Sequence, residues 1–163
     1  MREYEVVSKI KVYSYTELSE EDRELVDLAR EMTEKSYAPY SRFYVGAAIR
    51  LLNGKVIPGC NQENAASPST ICAERSAIFA AGAQYPDQPV TTLAIAARND
   101  DGFMQSPIPP CGTCRQVILE TEERFNQPIR IMLAAKDEIH MVETIRTLLP
   151  MQFVGESMKS EES

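Results

Sequence analysis

Three of the four cysteines lie at the predicted starts of two helices, and this placement limits the ways in which the chain can fold. Cys72 begins the segment "CAERSAIFAAGA", while Cys111 and Cys114 begin the segment "CGTCRQVILETEERF". Each segment follows a loop, and crevices beside helix N-termini are where ligands bind in α/β sheets. We therefore expect a fold in which the two helix starts converge and the three thiols share one site.

The rest of the chain alternates strand patterns with helix patterns. Strands are predicted in "FYVGAAIRLLNGKVIPG", where Asn53-Gly54 joins two of them, in "TTLAIAARN" and in "PIRIMLAAK". Helices are predicted after Ser19, in both cysteine segments and within residues 141–150. This alternation predicts an α/β fold, a three-layer α/β/α domain with a mixed sheet of about five strands.

Residues 1–163 are predicted to form a single domain with two distinct ends. Residues 1–15 are an N-terminal extension in which residues 4–15 mix β-formers with charges, so the extension could add an edge strand. Residues 155–163, "GESMKSEES", are expected to be a disordered C-terminal tail.

Charge and hydropathy narrow the classes of function. The chain has 163 residues and a formal net charge of −7, so it repels nucleic-acid phosphates and anionic membranes. No apolar run approaches the roughly 20 residues that span a bilayer, and "MREYEVVSKIKVYSY" is too charged for a signal peptide. We therefore expect a cytoplasmic protein, whose reduced cysteines bind a metal or act in catalysis rather than form disulfides.

The three thiols at the helix starts predict a zinc site. The positive end of a helix favours thiolate over thiol, and three thiolates suit a thiophilic ion. A site with three protein ligands leaves the fourth position of zinc open, which distinguishes catalytic zinc from structural zinc. Glu74, two residues after Cys72, is placed to move protons in a hydrolysis there. Together "CAE" and "PCGTC" form the zinc-deaminase signature.

Other uses of these residues stay open. Cys111 and Cys114 could form a redox dithiol or pack in the core, and Cys60 could complete a closed structural zinc site with four cysteines. We favour Cys60 as a small buried apolar residue, and we do not expect the sole histidine, His140, to be a ligand. Taken alone, Glu74 would be a solvated carboxylate at a helix start, but the neighbouring thiol argues for a proton carrier.

Five segments in the same order carry a family resemblance that spans about residues 36–153. With "SYAPYSRFYVGAA", "GCNQENA", "ICAER", "PCGTCRQ" and "LLPMQF", the chain resembles the small homotetrameric cytidine deaminases. The resemblance implies zinc-dependent hydrolytic deamination of cytidine and 2′-deoxycytidine to the uridines, with release of ammonia. It also implies one Zn²⁺ per subunit and a homotetramer in which pockets are shared between subunits.

The resemblance also implies which residues contact the nucleoside. Phe43 would stack on the pyrimidine, and Asn61 and Glu63 would bind the ribose hydroxyls. The Ala73 backbone would meet the base edge, and Phe153 would close a pocket that belongs to a neighbouring subunit. From the sequence alone, the aromatic residues also suit the core and the two polar residues also suit a turn.

For catalysis, the resemblance implies that Glu74 takes a proton from the attacking water, passes it to the ring nitrogen and assists departure of the amine. Arg75 would donate hydrogen bonds to the thiolate sulfurs and so restore the pull of zinc on its water, with Gln116 assisting. The chain departs from the family at two positions. Ser67 stands where a tyrosine is common, and Pro109 stands where a serine is common and removes a backbone donor.

Two other functions stay open. The first is deamination of a related aminopyrimidine nucleoside such as blasticidin S, which Ser67 makes conceivable. The second is a zinc-stabilised binding module without catalysis, against which Glu74 argues because such a module needs no proton carrier. Editing of a polynucleotide is disfavoured, because the chain lacks a basic stripe or a run of aromatic residues for a single strand.

Overall fold

The computed structural model describes residues 1–158, in which seven strands and three α-helices are found. The strands are β1 (Lys11–Ser14), β2 (Tyr44–Leu51), β3 (Val56–Cys60), β4 (Val90–Asn99), β5 (Gly102–Phe103), β6 (Arg130–Ala134) and β7 (Glu138–Val142). The helices are α1 (Glu20–Met32), α2 (Ala73–Gln84) and α3 (Gly112–Phe125).

All seven strands belong to one mixed sheet. Its order is β1-β7-β6-β4-β2-β3, and β5 pairs with the end of β4. β4 and β6 run parallel, whereas all other neighbouring strands run antiparallel. The parallel pair is connected through α3, because parallel neighbours need a long crossover. The predicted mixed sheet is confirmed, but the predicted number of about five strands was wrong.

The two strands missed by the sequence analysis have identifiable reasons. β5 has only two residues, which is too short to show a period. β7 does carry a strand signal, because buried Ile139 and Met141 alternate with two partly exposed polar residues, but residues from 141 onwards were assigned to a segment that holds a helix. The short helix predicted within residues 141–150 is found as the 3-10 helix Ile145–Leu148, while residues up to Val142 belong to β7.

Helices cover both faces of the sheet, which confirms the three-layer α/β/α arrangement. α1 begins after Ser19, whose hydroxyl accepts a hydrogen bond from the Asp22 amide, and it buries Leu25 against one face. α2 and α3 bury Ala77 and Ile118 in the core on the other face. Because both faces are covered, the central strands β4 and β6 are almost continuously apolar.

Two glycines allow the helices to approach the sheet closely, one on each face. A Cβ added to Gly46 of β2 would collide with the Ala29 carbonyl oxygen of α1. A Cβ added to Gly59 of β3 would lie 2.5 Å from the Ala73 carbonyl oxygen and 2.6 Å from the Ala77 nitrogen of α2. Gly59 therefore sets the distance between the sheet and the first turn of α2, where the predicted site begins.

The two ends of the chain lie outside this layered core. β1 is an edge strand that pairs with β7, and residues 1–10 ahead of it lie in no helix or strand. In the predicted tail, Gly155–Met158 forms a 3-10 helix rather than the disorder predicted for it, and residues 159–163 lie outside the described residues. Within residues 1–158, no helix has the length and apolar character needed to cross a bilayer.

Candidate active site

The cysteines of the two helix starts meet at one place in the fold. Cys72 immediately precedes α2, Cys111 immediately precedes α3, and Cys114 lies in the first turn of α3. The two helices are neighbours on the same face of the sheet. The three Sγ atoms lie within 4.8 Å of one another, and those of Cys72 and Cys111 are 3.9 Å apart. All three residues predicted to hold a metal are therefore brought together.

The sulfur cluster fits a zinc ion. Tetrahedral zinc with Zn–S bonds of about 2.3 Å holds its sulfurs about 3.8 Å apart. The observed 3.9 Å between two sulfurs matches this spacing and is far longer than a disulfide bond, and the cysteines are free thiols. Cys114 is buried whereas Cys111 is exposed, so the cluster is closed on one side and open on the other. One open side is what a hydrolytic zinc site requires.

Hydrogen bonds and a nearby cation set the protonation of the sulfurs. The hydrogen bond with Cys114 and the guanidinium of Arg75 lower the pKa of Cys72 to about 5. The Arg75 Nη2 atom lies 3.6 Å from the Cys72 sulfur and 3.5 Å from the Thr70 carbonyl oxygen. The hydrogen bond to Cys72, together with burial, raises the pKa of Cys114. Cys72 is thus a thiolate at neutral pH, and a bound cation would replace the proton on Cys114.

Glu74 is a buried carboxyl beside the sulfur cluster, in the first turn of α2. Glu74 is only 4% exposed. This burial, together with the nearby Cys72 thiolate, raises the pKa of Glu74. Glu74 and Cys72 line the same cleft. A carboxyl with a raised pKa exchanges protons closer to neutral pH than an ordinary glutamate, which suits a group that must both accept and donate.

A cleft of about 270 Å³ lies over the cluster and reaches most of the predicted substrate contacts. Phe43, Asn61, Glu63 and Ala73 all line it. Several further wall residues were not identified as such from the sequence, because apolar and proline residues in loops and strands give no signal of a binding site. These are Ile71, Ile95, Ile108 and Pro109.

Glu63 is held in the cleft by the loop that precedes β2. Its carboxylate accepts hydrogen bonds from the amides of Tyr40, at 2.9 Å, and Ser41, at 3.2 Å, and from the Ser41 hydroxyl. The Ser41 hydroxyl, followed by these amides, lowers the pKa of Glu63. The same hydroxyl accepts a hydrogen bond of 3.1 Å from the Phe43 amide. Ser41 was missed by the sequence analysis, and its position two residues before Phe43 is the only signal that it offers.

Asn61 is buried and links the cleft to β2. Its Oδ1 accepts a hydrogen bond of 2.8 Å from the Val45 amide, and its Nδ2 donates one of 2.9 Å to the Phe43 carbonyl oxygen. Asn61 therefore fixes the backbone that carries Phe43 and lines the cleft at the same time. The second Nδ2 hydrogen and the second Oδ1 lone pair of Asn61 can form hydrogen bonds with a ligand.

Three residues singled out from the sequence lie away from the walls of this cleft. The Gln116 Nε2 atom donates a hydrogen bond of 2.9 Å to the Phe153 carbonyl oxygen, and no hydrogen bond from Gln116 to a sulfur is found in the described chain. The Phe153 residue is 57% exposed. Ser67 lies on the exposed 3-10 helix Ser67–Ser69, so its departure from the family pattern does not shape the cleft of its own chain.

Neither Cys60 nor His140 belongs to the cluster. Cys60 is buried, with its sulfur 3.4 Å from the Lys35 carbonyl oxygen and 3.2 Å from the Gln62 amide nitrogen. The only metal-type cluster among the described residues contains three cysteines, so the alternative of a closed site with four was wrong. His140 lies on β7 and contacts Glu138 at 2.8 Å.

Comparison with known proteins agrees with this geometry. The family described as "Cytidine and deoxycytidylate deaminase zinc-binding region" matches residues 19–126. A cytidine deaminase of Halalkalibacterium halodurans is 39% identical over 134 residues, which cover 82% of this chain and 95% of that protein. The crystal structure of a cytidine deaminase from Burkholderia pseudomallei superposes with a TM-score of 0.67 at 37% identity, over 80% of this chain and 97% of that one.

A more distant relative carries a different name. The blasticidin-S deaminase of Bacillus cereus is 29% identical over 138 residues, which cover 83% of this chain and 94% of that protein. The family match includes both the segment that carries Cys72 and Glu74 and the segment that carries Cys111 and Cys114. The sulfur cluster accordingly fits one Zn²⁺ per chain. On this match and these relatives, the chain belongs to the cytidine and deoxycytidylate deaminase family.

Proposed function

We propose that this protein is a zinc-dependent hydrolase that converts cytidine and 2′-deoxycytidine to uridine and 2′-deoxyuridine with release of ammonia. The observation that carries the proposal is the position of a buried carboxyl, Glu74, beside three converging thiols at the wall of an open cleft. The choice of cytidine is supported by relatives named cytidine deaminases at 39% and 42% identity.

Glu74 is proposed to carry protons during the reaction. Zinc held by Cys72, Cys111 and Cys114 would activate a water for attack on C4 of the base. Glu74 would accept the first proton of that water and deliver it to the ring nitrogen. It would then take the second proton from the hydroxyl that has added to C4 and deliver it to the departing amine, so that the ring keeps a carbonyl and ammonia leaves. The raised pKa of Glu74 supports both directions of transfer, because the group is neither strongly acidic nor strongly basic near neutral pH.

Arg75 is proposed to tune the sulfurs without touching the substrate. Three thiolates donate much negative charge, which weakens the pull of a metal on its water. The Arg75 guanidinium, 3.6 Å from the Cys72 sulfur, draws part of that charge back. Gln116 is proposed to assist only indirectly, by fixing the backbone at Phe153. Its side-chain amide donates a hydrogen bond to the Phe153 carbonyl oxygen rather than to a sulfur.

The cleft is proposed to bind the nucleoside, with the base directed toward the sulfur cluster and the ribose away from it. Phe43 stacks on the pyrimidine, the Ala73 backbone meets the base edge, and Asn61 and Glu63 bind the ribose hydroxyls. The support is that all four line one cleft and that the Glu63 carboxylate is already oriented by Ser41. A carboxylate that is already held in place loses little conformational entropy when it accepts hydrogen bonds from hydroxyls.

We further propose a single deaminase domain that works in the cytoplasm as a homotetramer with shared pockets. Phe153 does not line the cleft of its own chain and is exposed, which supports a contact with the pocket of a neighbouring subunit. The proposed partner is a small nucleoside, and the net charge of −7 argues against nucleic acid or an anionic membrane.

The decisive experiment follows the loss of cytidine absorbance and the release of ammonia by the purified protein, with its zinc content measured in parallel. We expect turnover of cytidine and deoxycytidine at one zinc per chain. Blasticidin S serves as the competing substrate, since a relative bears that name. A fully zinc-loaded protein that turns over none of the three would identify a binding module and defeat the proposal, and turnover of blasticidin S alone would favour the second function.

A further inference from the structure

The N-terminal segment exposes apolar side chains for which the deaminase site offers no use. It lies outside the family match, which begins at residue 19, and it contributes no residue to the cleft. Its exposed fractions run from 47% at Ile10 to 74% at Val7. Grouped apolar exposure of this kind marks a surface that another molecule covers. The large exposed apolar residues are Tyr4, Val6, Val7, Ile10 and Val12.

Residues 2–12 alternate as a β-strand does. Even positions are mostly apolar and odd positions are mostly charged, so an extended chain has one apolar and one charged face. The even face carries Arg2, Tyr4, Val6, Ser8, Ile10 and Val12, and the odd face carries Glu3, Glu5, Val7, Lys9 and Lys11. From residue 11 onwards the chain already forms β1, at the edge of the sheet.

The position of the segment leaves it free to pair. Residues 1–10 form neither helix nor strand, and β7, the neighbour of β1, ends opposite Ile10. The Ser8 hydroxyl donates a hydrogen bond of 2.7 Å to the Thr147 carbonyl oxygen, which keeps the segment beside the 3-10 helix Ile145–Leu148. A segment that is joined to an edge strand and has no strand partner of its own can pair with another strand.

We propose that residues 3–11 pair antiparallel with the same segment of a second copy of this chain, about a two-fold axis through Val7. In this register each glutamate of one copy lies opposite a lysine of the other. Directly opposite residues share a face, so the charged faces neutralise each other and the apolar faces join. The opposed pairs are Glu3 with Lys11, Tyr4 with Ile10, Glu5 with Lys9, Val6 with Ser8, and Val7 with itself.

The charge pattern selects this register over its neighbours. Moving the axis to Val6 or to Ser8 leaves half of the glutamate–lysine pairs, since one glutamate then lies opposite an uncharged residue. Shifting the pairing by a single residue places every charged side chain opposite a residue of the other face, which removes all of the ion pairs. A two-fold contact of this type is isologous, so each N-terminal segment pairs with the segment of one other copy, within or beside the proposed homotetramer.

Within one copy, Lys11 already pairs with Glu143 at 2.6 Å, in an exposed ion pair. Of the two glutamate–lysine pairs, the inner one, Glu5 with Lys9, therefore depends more on the second copy. The described chain shows no ion pair for either residue. This inner pair is therefore the place at which to test the proposal.

Disulfide trapping in the zinc-loaded protein tests the two-fold axis directly. Val7→Cys places a thiol opposite its own copy, so mild oxidation should cross-link most of the protein into dimers on a non-reducing gel. Arg2→Cys is the matched control, because it is equally exposed but lies about 33 Å from its own copy in this register. The unsubstituted protein reports any reaction of the native thiols. Equal cross-linking of the two variants would overturn the proposal.

Charge reversal tests the register. In a Val7→Cys background, Glu5→Lys places lysine opposite lysine, and Lys9→Glu places glutamate opposite glutamate. Each should lower the cross-linked fraction at least fivefold, whereas an equal mixture of the two should recover it, because each strand then complements the other. A mixture that cross-links no better than the separate variants would overturn the register. Both variants should keep full cytidine turnover, so a loss of pairing is distinguishable from a failure of the proposed function.

Discussion

The two ends of the cleft are assembled in different ways. At the metal end, the three sulfurs and Glu74 come from the starts of two helices, within two short sequence motifs. At the end proposed to bind the nucleoside, Phe43, Asn61 and Glu63 come from a loop and from the residues after β3, and hydrogen bonds through Ser41 and Asn61 connect them. The first end joins two short motifs that each have a recognisable spacing, whereas the second depends on hydrogen bonds between a loop and the residues after β3 that no motif announces.

This difference predicts two kinds of failure. A change at the metal end removes a group that takes part in the chemistry, so it should lower kcat. A change at the nucleoside end loosens a network that positions the substrate, so it should raise KM and leave kcat nearly intact. Substitutions at the two ends can therefore test whether the cleft is divided in this way.

Glu74→Gln should have the largest effect. Glutamine keeps the size of the side chain but cannot accept and release a proton, so kcat should fall by about 10²- to 10⁴-fold. Zinc content should not change, because Glu74 is not one of the three residues that would bind the metal. Steady-state assays with metal analysis measure both, and Glu63→Gln is the matched substitution at the other end. A kcat within a few-fold of the starting protein would show that another group carries the proton.

Gly59→Ala should disturb the metal end through the backbone. The added Cβ would meet the first turn of α2, so the helix has to move, at a cost of up to about 3 kcal/mol in the free energy of unfolding. Because Cys72 begins that helix, zinc affinity should fall as well. Gly46→Ala is the control, since it pushes α1 on the opposite face and should cost stability without loss of zinc affinity. Equal zinc affinity in the two variants would contradict this account.

Local sequence signals were enough to predict the metal end, and they were insufficient for the rest. A cysteine at a helix start and a carboxyl two residues later lie close together in any fold that forms the helix, so their proximity can be predicted from the sequence. Ser41 and Ile108 carry no such signal, because their roles follow from which loops the sheet brings together. The same limit applies to the fold. β4 and β6 are evident from their apolar runs, while β5 and β7 are held in place mainly by their neighbours.

Arg75→Ala should give an intermediate effect at the metal end. The guanidinium supports the Cys72 thiolate, so its removal should lower kcat by about 10- to 100-fold and change KM less. Arg75→Lys, which keeps the charge and loses the planar donor group, should recover only part of the loss. Zinc titration against a competing chelator distinguishes weaker metal binding from weaker catalysis. Unchanged kcat at unchanged zinc content would remove the role assigned to Arg75.

Ser41→Ala should affect the nucleoside end. The variant loses the hydroxyl that orients the Glu63 carboxylate, so KM for cytidine should rise by about tenfold, which corresponds to the roughly 1.4 kcal/mol of one charge-assisted hydrogen bond. The value of kcat should stay within about twofold. Ser67→Ala is the control, because that serine is exposed outside the cleft of its own chain. A fall in kcat with constant KM would mean that the two ends of the cleft are not separate.

The smallest effect is expected in the acid stability of the nucleoside end. Hydrogen bonds from Ser41 and Tyr40 lower the pKa of Glu63 in the folded state, so the unfolded state binds the proton more readily. The stability that the carboxylate contributes is present at neutral pH and is lost as the pH falls below about 4. Glu63→Gln cannot titrate, so its deficit in unfolding free energy, less than about 1 kcal/mol at pH 7, should narrow toward pH 3. Urea unfolding of both proteins at several pH values measures this difference, and a deficit that is constant or grows on acidification would show that the network does not favour the charged carboxylate.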